Sequence, residues 1–135
     1  MPIIIKKPSG GKLEKGRDHM LRYTMTWDDG THPNLDSDVD VIYLVFKESD
    51  RMSDDEMAIF INSNDNADQF ITVDAGGGQG KIWIKNDDQD EIIPDTVKYC
   101  VSALVVLTDG TQWPFVSDYN VVFSQPVIQE IDINV

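Results

Sequence analysis

Apolar residues recur at every second position in several short runs of this chain. Leu21, Tyr23, Met25 and Trp27 alternate with Met20, Arg22, Thr24 and Thr26, the period of a strand with one face inward and one outward. Val97, Tyr99, Val101, Ala103, Val105 and Leu107 share one face over eleven residues, which predicts the longest strand and the heart of the core. Val41-Ile42-Tyr43-Leu44-Val45-Phe46 is apolar on both faces, as a central strand is. Further strands are expected at 57–62, where Ile59, Phe60 and Ile61 are good strand formers, at 70–74 and at 81–85. Shorter extended pieces are expected at 3–6, 113–115 and 119–123. Pro114 lacks an amide donor, so its piece suits an edge or a bulge. In the tail, Ile131 and Ile133 alternate with Glu130, Asp132 and Asn134, a terminal strand able to reach a partner. Ser53-Asp54-Asp55-Glu56, flanked by Met52 and Met57, has capping-box spacing; the strand formers after it favour a strand over a helical turn.

Two of the alternating runs end alike, in Asp29-Gly30 and Asp109-Gly110. Asp-Gly marks a hairpin or loop tip, because glycine reaches positive φ freely and aspartate bonds its own backbone. Gly76-Gly77-Gly78-Gln79-Gly80 lacks the Gly-Lys-Ser/Thr end of a phosphate loop and precedes a strand, so it reads as a flexible hairpin tip. Strands separated by turns every ten or so residues predict an all-β fold, an immunoglobulin-like antiparallel sandwich of seven to nine strands. Tyr99, five residues after Pro94, stands where such sandwiches place a tyrosine corner. With 135 residues, one core suffices. Residues 1–15 read as an N-terminal strand and arm, with a basic Gly-rich connector from position 8, and 16–135 as a single sandwich domain.

Charge narrows the partners. Twenty-four acidic residues against 11 basic ones give a net charge of −13, which argues against nucleic acid and anionic membrane, since both bind through clustered Lys and Arg. Nineteen of the acids are Asp and five are Glu, and Asp gravitates to turns and caps, so the charge belongs mostly to loops. The single cysteine, Cys100, permits no intramolecular disulfide and reads as a small buried hydrophobe. No stretch approaches the roughly 20 apolar residues of a membrane span, and the N-terminus is too short in its apolar run for a signal peptide. A chain made and kept in a cytoplasm until assembly is expected.

Few residues offer chemistry. Asp36, Asp38 and Asp40 open like a calcium loop, with oxygen ligands at alternating positions. Val41 then stands where the sharp turn needs Gly and Lys47 where a bidentate acid is required, so solvated acidic loops are the stronger reading and calcium is the only cofactor held open. Asn62, Asn64 and Asn66, and Asn86, Asp88 and Asp90, fail in the same way. His19 and His32 lie beside aspartates, yet no Gly-x-Ser-x-Gly elbow accompanies them, so no catalytic residue is assigned. Trp83 lies opposite in facing to Ile82 and Ile84, and Trp113 and Phe115 lie on the expected edge. These three aromatics, with Ile131 and Ile133, are the interface candidates, since exposed aromatics mark interfaces or carbohydrate platforms; burial in a second inner face is the rival reading.

Taken in order, Gly16-Arg17-Asp18, Trp27-Asp28-Asp29-Gly30, Leu35-Asp36, the strand ending Phe46-Lys47, Gly80-Lys81-Ile82-Trp83-Ile84, the segment from Pro94 to Tyr99, and Leu107-Thr108-Asp109-Gly110 resemble a group of small bacteriophage and prophage β-sandwich proteins. Those are found with tail, baseplate and tail-fibre components, including the N-terminal domains of baseplate upper proteins. The resemblance covers about residues 16 to 123 and rests on turns and core positions. It implies a non-enzymatic virion structural or adaptor role, with other virion proteins and further copies of the chain as partners, and it brings over no catalytic residue. The alternative class is a carbohydrate- or calcium-dependent adhesion domain using the acidic loops and exposed tryptophans.

Overall fold

The alternating runs become strands that pair into two antiparallel sheets. The computed structural model describes residues 3–4, 13–48 and 57–125, with the backbone alone at 3–4 and 116–120. In chain order the strands are β1 (Ile3–Ile4), β2 (His19–Thr24), β3 (Thr26–Trp27), β4 (Val39–Lys47), β5 (Ile59–Asn62), β6 (Phe70–Asp74), β7 (Gln79–Ile84), β8 (Tyr99–Leu107) and β9 (Gln112–Val121). One main sheet has the order β2-β7-β6 and the other β5-β4-β8-β9. This is the strand order of an immunoglobulin-type sandwich: β2, β7 and β6 take the places of B, E and D, and β4, β8 and β9 those of C, F and G, with β5 added beside C. β1 pairs with β3 as a small separate ribbon, Ile3 opposite Trp27. Glu14 makes a parallel bridge to Ser124, which ties the end of the 1–15 segment to the sandwich.

Burial follows the two-residue period. Leu21 and Tyr23 on β2, Ile82 and Ile84 on β7, Leu44 and Phe46 on β4, and the odd-numbered residues of β8 from Tyr99 to Leu107 form one buried cluster. The space between the sheets is closed by Phe123, whose ring meets Phe46 at 5.7 Å and Tyr99 at 6.2 Å between centroids. Tyr99 also completes a tyrosine corner: its hydroxyl accepts a hydrogen bond from the Ile93 amide at 2.8 Å. Tyr99→Phe leaves that amide without its partner and is expected to cost about 1–2 kcal/mol, read as a lower urea midpoint at unchanged slope.

Several expectations are corrected by pairing. The pieces around Trp113 and Tyr119 are one ten-residue strand, β9, one residue longer than β8. Leu104 pairs with Pro114 and Ala103 with Val116, so Phe115 is the extra residue of a bulge on an edge strand, where a residue without an amide donor fits. Cys100 is half-buried on the outward side of β8, because it falls on the even positions of a strand whose odd positions fill the core. The Gly-rich segment is a tip only from 75 to 78. Gly80 sits in β7 opposite Tyr23, and a Cβ there would collide with the Tyr23 ring. Burial pushes the Tyr23 hydroxyl up to about 12. The expected capping box at 53–56 and the terminal strand carrying Ile131 and Ile133 lie outside the described residues.

Candidate functional site

Six exposed aspartates gather at one end of the sandwich. The two Asp-Gly steps build the same five-residue turn. In the first, the Trp27 amide donates to the Thr31 carbonyl at 2.7 Å and the Gly30 amide to the Trp27 carbonyl at 3.0 Å. Asp29 Oδ1 accepts from the Thr31 amide at 3.0 Å and the Thr31 hydroxyl at 2.6 Å. In the second, Leu107, Gly110, Asp109 and Thr111 repeat each of these bonds, the Thr111 hydroxyl again at 2.6 Å. Gly30 and Gly110 have φ of 89° and 87°, which only glycine adopts freely. The turns are neighbours, since the Trp27 and Trp113 rings meet edge-on at 6.1 Å. The 34–38 loop joins them through the Thr108 amide, which donates to the Asp38 carbonyl. Asp28, Asp29, Asp36, Asp38, Asp40 and Asp109 are all exposed there.

These carboxylates serve the turns. The threonine hydroxyl, then the threonine amide, hold Asp29 and Asp109 below the ordinary carboxylate value of 3.8. A depressed folded-state value stabilises the fold above the unfolded value, and that contribution is lost as pH falls from there through the folded value. An Asp29→Asn/Asp109→Asn chain is therefore expected to lose less stability than the parent between about pH 5 and about pH 2, checked by urea midpoints across that range. Asp38 Oδ2 accepts from the Asn34 amide, and Asn34 Oδ1 from the amides of Asp36 and Ser37. Asn62 Oδ1 likewise accepts from Asn64 and Asp65. Among the described residues no group of three or more His, Cys, Asp or Glu converges to hold a metal ion.

A buried polar knot stands on β7 and the chain around it. Gln89, in the 3₁₀ turn Asn86–Gln89, accepts from the Gly16 amide at 2.7 Å and donates to the Arg17 carbonyl at 2.6 Å. Gln69 Nε2 donates to the Trp83 carbonyl and to Asp88 Oδ2, and Asp88 caps the Lys85 amide. His19 is half-buried, its Nε2 at 2.9 Å from the Glu14 carbonyl and its ring edge-on to Phe123. His32 is exposed, with Nδ1 at 2.8 Å from the Met25 carbonyl. The two histidines are held to backbone in separate places.

The interface candidates separate into two kinds. Phe115 is 1% exposed and packs on Tyr23 at 5.0 Å, so it belongs to the core. Trp113 pairs with the buried Val105 and therefore faces the same way, closing the end of the core rather than presenting a platform. Trp83 does face outward: it is half-buried opposite Met20, its indole donates to Asp18, and Lys85 Nζ lies 4.9 Å from the ring centroid. Asp68 holds that ammonium at 2.9 Å. The pair lowers the Asp68 carboxyl and raises Lys85, the hydrogen bond between them being the leading cause.

The outer face of the four-stranded sheet is unusual. Its central rows run Val41–Val106–Gln112, Asn62–Tyr43–Leu104–Pro114 and Phe60–Val45–Ser102, with no charged side chain in them; Lys47, opposite Cys100, brings a charge only at the end of the face. Tyr43 and Phe60 stack at 5.9 Å, and Phe60 is 43% exposed. An antiparallel sandwich sheet ordinarily turns a polar face to water. The apolar run at 41–46 was the sequence signal for this surface, but a central strand and an interface strand write the same pattern. No family model, curated protein or solved structure matches the chain.

Proposed function

We propose that this chain is a non-enzymatic structural or adaptor protein of a phage particle, placed in a tail or baseplate and acting through protein–protein interfaces in several copies. The observation that carries the reading is the largely apolar patch on the outer face, built on Tyr43, Val45, Phe60, Leu104 and Val106, whose rows hold no charged side chain. On a chain of net charge −13, a patch without charge is one that another protein can cover without desolvating ions. The order of turns and core positions that resembles phage sandwich proteins supports the setting. Particles built by symmetric repetition need complementary surfaces more than reactive groups. The test is light scattering of the purified chain together with capture of co-encoded virion proteins. Self-association or a stable complex with a tail or baseplate component is expected, and a monomer that captures neither overturns the reading.

A further inference from the structure

The outer face of the three-stranded sheet breaks a local rule. Arg22 on β2 stands directly opposite Lys81 on β7, with Ile71 of β6 in the same row. Residues so placed have Cβ atoms only about 5 Å apart, and like charges there weaken the sheet. The chain has carboxylates in excess, yet among the described residues neither cation is paired with one. Nearby acids are engaged elsewhere: Asp18 accepts from the Trp83 indole and the Asn86 amide, Asp68 holds Lys85, and Asp74 accepts from the Gly77 amide. The adjoining row is Met20 opposite Trp83, and Met20, Ile71 and Val73 are exposed. Two uncompensated cations set among exposed apolar side chains are a cost to the fold, and such departures are expected where a surface has another use.

A partner for this face must be acidic and bring some apolar area. The chain itself carries that surface: the end holding Asp28, Asp29, Asp36, Asp38, Asp40 and Asp109 has no Lys or Arg in 28–40 or 108–112, and half-buried Trp27 and Trp113 lie at its base. We propose that the acidic end of one copy docks on the Arg22–Lys81 face of the next. The two surfaces differ, so the contact is heterologous and propagates into a ring or an open filament. It is charge-steered and weakens with salt. It needs no virion setting, so it stands or falls on self-association alone.

Light scattering of the full chain at low salt is expected to give a mass above the 15.2 kDa monomer, falling toward it as salt is added. Arg22→Glu removes the like-charge clash and creates a cross-strand pair with Lys81, so its melting temperature rises while self-association weakens by about tenfold or more. Asp36→Lys/Asp40→Lys, which alters the other surface, also leaves monomers. Mixed, the two variants form a heterodimer and nothing larger, because one retains only the face and the other only the acidic end. A parent chain that is monomeric at every salt concentration overturns the proposal. So does an Arg22→Glu chain that associates like the parent or melts below it, and so does a mixture that stays monomeric.

Discussion

Phe123→Ala is expected to cost about 3–5 kcal/mol, a large part of the roughly 5–15 kcal/mol that holds a domain of this kind together. The ring is fully buried and touches one residue from each of three strands: His19 of β2 at 6.5 Å, Phe46 of β4 at 5.7 Å and Tyr99 of β8 at 6.2 Å. Those contacts span both sheets, so the residue ties the two layers. Its neighbours are fixed by ladder hydrogen bonds and cannot collapse into the space it leaves. The cavity term therefore adds to the lost transfer energy, which puts the loss in the upper part of the range for large-to-small substitutions. The Phe123 carbonyl accepts from the Asp95 amide at 2.7 Å, and the Tyr99 corner hydroxyl stands on the same wall, so local order around 93–99 should fall with it. Urea unfolding with an unchanged slope checks the figure. A loss near 1 kcal/mol would mean that the sheets close over the gap.

The sandwich itself is written in the period-2 runs. β2, β7 and β8 bury the residues whose alternation marks them, and the Asp-Gly steps form turns as their chemistry requires. What could not be read is what depends on which strands become neighbours. Trp113 alternates like an edge residue, but its facing is settled by pairing with Val105. Phe115, two residues on, shares that inward facing, and the bulge that follows Pro114 shifts the register only of the residues after it. Arg22 and Lys81 are fifty-nine positions apart in the chain and become a like-charge pair only in the β2–β7 register. The uncharged patch on the outer face of the four-stranded sheet needs three strand pairings at once. Buried glutamines give no periodic signal at all, because a lone polar residue in a loop reads as solvated until a partner segment covers it.

Gln89 is the sharpest instance, and replacing it by leucine is expected to cost about 2–4 kcal/mol, since each buried polar group left without its partner costs about 1–3 kcal/mol. The side chain is 1% exposed. Its amide ties the segment before β2 to the turn after β7: Oε1 accepts from the Gly16 amide at 2.7 Å, and Nε2 donates to the carbonyls of Arg17 at 2.6 Å and Lys85 at 3.3 Å. Leucine fills nearly the same volume, so the loss is polar rather than a cavity. The 13–18 segment then keeps its bonds to Ser124 and His19 but not its anchor on the 86–89 turn. Hydrogen exchange should accelerate at 13–18 well before the core strands respond, because the segment opens locally. Gln89→Glu should cost more than leucine at neutral pH, since it keeps an acceptor for Gly16 but places an unpaired carboxylate in a closed site against two carbonyl oxygens. Lowering the pH to protonate that carboxylate should recover part of the loss, which a purely steric role for Gln89 would not allow. If Gln89→Leu instead shifts stability by no more than about 0.5 kcal/mol, as surface changes do, the segment is held by the Leu13–Ser124 bonds alone.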